Sequence, residues 1–105
     1  MARKLARRDD LDAVLCFGLV LKGETEHDRY ISSAVADALM HIGLECDKPV
    51  LFGVLTCSTL EQAQARARRA DEGGLDKGHE VARAALEVLE ALDAADEIPQ
   101  VEFPR

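Results

Sequence analysis

Ala13-Val14-Leu15-Cys16-Phe17-Gly18-Leu19-Val20-Leu21 is apolar along its whole length, and Val50-Leu51-Phe52-Gly53-Val54-Leu55-Thr56 is apolar up to its last residue. A strand with one face in water alternates polar and apolar side chains, whereas a strand covered on both faces does not. Both runs therefore read as buried, parallel strands. Between them Ile31, Val35, Leu39 and Ile42 recur at helical spacing, with Ala34 and Ala38 in the same stripe. The spacing predicts a helix from near His27 to about Gly43, with Lys48-Pro49 leading into the second strand. Strand, helix and strand make a right-handed βαβ unit. Each strand also carries a central glycine, Gly18 or Gly53, a residue that in strands marks close approach by a backbone, a ligand or a packed neighbour.

Downstream, Ser58-Thr59-Leu60-Glu61 has capping-box spacing, with Ser58 three residues before Glu61, and predicts a short helix to about Arg69. A polar loop from Ala70 to Gly78 follows and contains Gly73-Gly74. The last helix has Val81, Ala85, Val88 and Leu92 on one face and Glu80, Arg83, Glu87 and Glu90 on the other. Residues 94–105, with Pro99 and Pro104, lack periodicity and are expected to form a surface tail. At the other end, Met1 to Arg8 reads as the solvated end of a helix. Two parallel strands make a thin sheet, since sheets usually carry about four to six. Further strands are expected to come from elsewhere.

The whole chain of 105 residues has the length of one domain, and 13 Lys+Arg against 20 Asp+Glu give a formal charge of −7. That balance argues against a nucleic-acid backbone or an anionic membrane as partner. No apolar run reaches the roughly 18 residues of a membrane-spanning helix, and the basic start lacks the apolar stretch of a secretory signal. Cys16, Cys46 and Cys57 are odd in number, and two of them lie in apolar runs, so buried reduced thiols and a cytoplasmic location are expected. His41 and His79 have no neighbours at metal-ligand spacing, and no metal site is expected.

In open parallel sheets, ligands bind beyond the carboxyl ends of the strands. Here those ends lead into Lys22-Gly23-Glu24-Thr25-Glu26-His27 and Thr56-Cys57-Ser58-Thr59. The first segment places an imidazole at a helix start, where partial positive charge disfavours a cation and free N–H groups face an anion. Neutral imidazole is what proton transfer uses. Arg66 and Lys77 are cations placed to form a phosphate clamp with that loop, or else to line a solvated helix face. Taken alone, these residues read as a phosphate-binding α/β domain with a possible acid–base function.

Four blocks carry a closer likeness. They are Leu11-Asp12-Ala13-Val14, then Lys22-Gly23-Glu24-Thr25-Glu26-His27-Asp28-Arg29-Tyr30, then Phe52-Gly53-Val54-Leu55-Thr56, and finally Thr59-Leu60-Glu61-Gln62-Ala63 with Arg66-Ala67 and Lys77-Gly78. In this order and spacing, from about Leu5 to Leu92, the chain resembles the lumazine synthase family. The resemblance implies a three-layer αβα fold with a parallel sheet in flavodoxin-like order. It also implies riboflavin biosynthesis: a transferase that condenses 5-amino-6-(ribitylamino)uracil with 3,4-dihydroxy-2-butanone 4-phosphate, without metal or organic cofactor. By the same resemblance His27 is the catalytic proton shuttle, and Gly23, Glu24, Thr25, Arg66 and Lys77 bind phosphate. Leu19, Val20 and Leu21 offer the backbone that reads the pyrimidine, Phe52 reaches the pyrimidine of a neighbouring subunit, and Phe52 and Arg66 both serve that neighbour's His27. Partners implied are the two substrates and further copies of the chain, as a pentamer or larger shell, with no nucleic acid and no membrane.

The likeness covers only the C-terminal two-thirds of the family's pattern, so the expectation is a single, N-terminally truncated domain over residues 1–105. The part without counterpart holds a central strand, an edge strand, an aromatic that stacks on the pyrimidine and a Ser-Trp-Glu-like segment. Smaller departures are Arg68 where Gly usually follows Arg-Ala, Asp76 where Asn usually precedes Lys-Gly, and a longer Gly-rich loop. The alternative reading is a non-catalytic homologue that serves as a phosphate-binding or assembly module.

Overall fold

The computed structural model describes residues 1–101. Its elements are α1 (Ala2–Ala6), β1 (Val14–Leu21), α2 (His27–Cys46), β2 (Val50–Cys57), α3 (Leu60–Ala67) and α4 (Lys77–Asp96), with one 3-10 turn at Ala70–Glu72. The strands pair in parallel from Val14 opposite Val50 to Leu21 opposite Cys57, and among the described residues they are the whole sheet. The βαβ unit read from the two apolar runs is thus present.

Side chains alternate across the sheet. Thr56 meets Ser32 of α2 through a 2.9 Å hydroxyl contact, while its neighbour Cys57 meets Arg66 of α3. Hence α2, with α1 packed beside it, covers one face, and α3 and α4 cover the other. This is the αβα layering expected from the sequence. Gly53 is explained by the sheet itself. A Cβ there would lie 2.8 Å from the ring of Phe17 on the paired strand, so the glycine makes room for an aromatic neighbour.

Helix α2 runs three residues beyond the expected stop at Gly43. The reversal is made by Asp47, which adopts the left-handed conformation at φ 51°. Gly43 stays helical, and a Cβ on it would lie 3.2 Å from the Lys48 carbonyl, so it lets the chain fold back closely toward β2. At the front, α1 is a short helix whose Arg3 and Arg7 both pair with Glu45 of α2, at 3.4 and 2.9 Å. Helix α4 also outruns expectation, continuing to Asp96 into the segment read as tail; residues 94–101 are exposed, and Pro104 lies outside the described residues.

The core is slim. Its buried apolar residues are Ala6, Val14, Leu39, Cys57, Ala63, Val81 and Ala85. Val88 and Leu92, expected on the buried face of α4, are 37% and 47% exposed and line a shallow depression with Gly43 and Pro49. They lie beyond the reach of a two-stranded sheet. Likewise Phe17, Leu19 and Leu21 of β1 are exposed, and among the described residues β1 has a partner strand on one edge only. Of the three free cysteines only Cys57 is buried; Cys16 and Cys46 are half-buried, which corrects the expectation of fully buried thiols.

Candidate functional site

The carboxyl ends of both strands open into the segments singled out in the sequence. Lys22, the first residue after β1, donates its N–H to the Cys57 carbonyl at 2.9 Å and so extends the ladder by one bond. The chain then leaves the sheet as an exposed loop, Gly23-Glu24-Thr25-Glu26, and enters α2 at His27. Glu26 stands at the cap position without a side-chain capping bond; Arg29 N donates to its carbonyl at 3.1 Å, which leaves the His27 and Asp28 N–H groups open to an outside acceptor. The Thr25 hydroxyl lies 3.0 Å from His27 Nδ1. When the hydroxyl donates, Nδ1 is the acceptor and the ring proton sits on Nε2. A Cβ built on Gly23 would meet nothing within 4 Å, so the packing of this chain does not itself require a glycine there.

Beyond β2, the capping box is offset by one residue from the sequence reading. Thr59, not Ser58, is the cap: its hydroxyl accepts from Gln62 N at 3.2 Å. Gln62 Oε1 in turn accepts from Ser58 N at 2.9 Å, so the reciprocal partner is Gln62 rather than Glu61. Extended backbone at Thr59 fits a cap, and the resulting helix turns half-buried Arg66 back toward the sheet. There its Nη1 donates to Cys57 Sγ at 2.8 Å.

Lys77 is brought in by the glycine-bearing loop. Leu75 N donates to the Ala65 carbonyl and Asp76 N to the Arg68 carbonyl, each at 2.9 Å, which folds the loop back onto the end of α3. Asp76, left-handed at φ 53°, caps α4 by accepting from His79 N and also accepts from Ala70 N. These bonds, Ala70's foremost, hold its carboxyl below the usual carboxylate range. Half-buried Lys77 begins α4 and reaches Glu80 at 3.3 Å. With Leu19, Phe17, Leu60 and Ala63 it lines an apolar cavity of about 390 Å³ on the α3–α4 face of the sheet.

The sequence-derived candidates thus fall into three places. Gly23, Glu24, Thr25 and His27 lie together on one loop and helix start, and Leu19, Val20 and Leu21 form the end of β1 that leads into it. Arg66 is tied to that end of the sheet through Cys57, and Lys77 joins Leu19 at the cavity. Phe52 is not brought to this end. It pairs with Cys16, five residues before the Leu21–Cys57 pair, or about 16 Å away at the rise of a strand. Cys57 lies in the strand-end segment singled out in the sequence, but nothing in the spacing signals its contact with Arg66.

Comparison with known proteins places the chain. The family model of 6,7-dimethyl-8-ribityllumazine synthase matches residues 1–93. The chain is 43% identical over 94 residues to the enzyme of that name from Thermus thermophilus, covering 90% of this chain and 58% of that protein. Against its namesake from Salinibacter ruber it is 46% identical over 87 residues, 83% of this chain and 54% of that one. With the Deinococcus deserti protein of the same name the identity is 38% over 100 residues, 95% and 60% of the two chains. The chain therefore spans under two thirds of the length of these relatives. Among the described residues no helix is long and apolar enough to cross a membrane. Since the family match runs through both strands, the loop to His27 and the helices that carry Arg66 and Lys77, the chain belongs to the 6,7-dimethyl-8-ribityllumazine synthase family.

Proposed function

We propose that the chain acts in riboflavin biosynthesis, condensing 5-amino-6-(ribitylamino)uracil with 3,4-dihydroxy-2-butanone 4-phosphate to form 6,7-dimethyl-8-ribityllumazine. The observation that carries the reading is the Thr25–His27 pair at the start of α2, beside open N–H groups at the end of a parallel strand. The phosphate would lie on the Gly23-Glu24-Thr25 backbone, where a glycine is present that internal packing does not require. Arg66 and Lys77 would complete its charge. His27 would move protons during imine formation and phosphate elimination, with Thr25 fixing the ring. The backbone of Leu19, Val20 and Leu21 would read the pyrimidine.

Phe52 lies too far along β2 to serve this end of its own chain, which favours an assembly in which it serves a neighbour. We take that assembly to be a pentamer or larger shell in the cytoplasm, with residues 1–105 as one domain. The partly exposed strand β1 and its single partner strand agree with a sheet that other strands complete.

The test is direct. The purified chain is mixed with both substrates, and lumazine formation is followed by absorbance and fluorescence. Product above the uncatalysed background is expected. A flat trace from a folded sample overturns the catalytic reading and leaves a phosphate-binding module.

A further inference from the structure

We infer that Cys57 is a positioning residue for Arg66, its sulfur holding the guanidinium in the orientation that a phosphate uses. The inference rests on the reading of Arg66 as a phosphate ligand and adds the group that aims it.

Five other arginines of the described residues are held by carboxylates, while Arg29 and Arg68 are exposed and form no ion pair. Arg3 and Arg7 meet Glu45, Arg8 meets Asp10, Arg69 meets Asp71, and Arg83 meets Glu87. Each of these cations is answered by a carboxylate. Arg66 is half-buried, yet among the described residues it forms no ion pair, and its side chain donates to Cys57 Sγ at 2.8 Å. Sulfur is a weak acceptor that takes one of the five guanidinium donors. It orients the planar fork while leaving most donors, and the charge, for an anion. A carboxylate at the same place would orient it as well but would also neutralise it.

Cys57 is also a fixed post. It is the last residue of β2, 4% exposed, and its carbonyl is held by Lys22 N at 2.9 Å. Arginine carries several rotatable bonds, and a clamp that must freeze them on binding loses affinity. A sulfur anchored to the sheet performs that ordering in advance.

The test is a double-mutant cycle on the full chain, with inorganic phosphate as the probe and NMR titration as the readout. Cys57→Ala is expected to weaken phosphate binding about two- to tenfold, the range of one net hydrogen bond. In an Arg66→Ala background the same change should do nothing. Cys57→Ser, which keeps an acceptor, should restore part of the loss and guards against a fold defect. Equal weakening in both backgrounds, or none in the parent, overturns the inference. A second readout stands apart from phosphate: the Arg66 guanidinium nitrogen signals should show slower rotation in the parent than in Cys57→Ala. If phosphate binds none of these proteins, the phosphate reading fails alone, and equal guanidinium rotation in both proteins still overturns the role of Cys57.

Discussion

The Thr25 hydroxyl lies 3.0 Å from His27 Nδ1, two residues apart across the boundary between loop and helix. This contact ties an exposed imidazole to an exposed loop, so it restrains a ring that packing leaves otherwise free. If His27 moves protons in the condensation, His27→Ala should lower turnover by about 10²–10⁴-fold while phosphate affinity stays close to the parent's. Thr25→Val should cost less in rate, because the imidazole remains, and more in binding, because a hydroxyl is lost from the phosphate loop. Steady-state kinetics with separate phosphate titrations distinguish the two. A His27→Ala protein with unchanged rate per bound substrate would refute the assignment.

Asp76 gives the fold an acid-sensitive joint. Backbone N–H groups of Ala70 and His79 hold its carboxyl below the usual range, so the folded chain binds that proton less readily than the unfolded one. The stability contributed is therefore fully present above the unfolded-state value of about 3.9, and is lost as pH falls through the lower folded value. Asp76→Asn keeps a capping oxygen and tolerates the left-handed backbone, but removes the titration. Melting temperature followed from pH 7 to about pH 2 should fall less steeply in Asp76→Asn than in the parent. Asp10, held low by Arg8, keeps some acid slope in both proteins.

The helix that carries Arg66 is fixed by Thr59, whose hydroxyl accepts from Gln62 N. Thr59→Ala should cost about 1 kcal/mol in urea unfolding, the usual worth of such a cap. Ser58→Ala should cost much less, since Ser58 contributes its backbone N–H to Gln62 and not its side chain. The reverse ranking would restore the Ser58–Glu61 box.

These boundaries show which parts of the molecule were legible in the sequence. Unbroken apolar runs at 13–21 and 50–56 identify both strands to within a residue but not their burial, since in β1 only Val14 is buried. Helix ends were harder to place. Nothing in the spacing of Leu39 and Ile42 tells that Asp47, not Gly43, turns left-handed, because both glycine and aspartate are adequate stops. Val88 and Leu92 share the stripe of Val81 and Ala85, yet periodicity cannot say how wide a sheet the stripe will meet. For the site, Thr25 and His27 were readable as a loop entering a helix. The Cys57–Arg66 contact was not, since it joins the end of a strand to the inner side of a helix nine residues later.

Gly74 makes the most exacting demand on sequence. A Cβ there would sit 2.1 Å from the Arg68 carbonyl oxygen and 2.5 Å from its carbon, which are backbone atoms and cannot swing aside. Gly74 N donates to the Arg69 carbonyl at 3.0 Å, and the next two residues bond back to α3, so any retreat breaks the loop that delivers Lys77. Gly74→Ala should therefore destabilise by about 1–3 kcal/mol or more, as overpacking against fixed atoms does. Gly78 offers the control. It lies in the first turn of α4, and a Cβ there meets nothing within 4 Å. Gly78→Ala should be neutral or stabilising by up to about 1 kcal/mol, since alanine is the better helix former. Urea unfolding measures both, and phosphate titration adds the functional half. If the proposed phosphate lies against the Lys77-Gly78 step, Gly78→Ala should weaken phosphate binding in a protein of undiminished stability. Unchanged affinity would mean that the phosphate lies elsewhere and that Lys77 acts only from a distance.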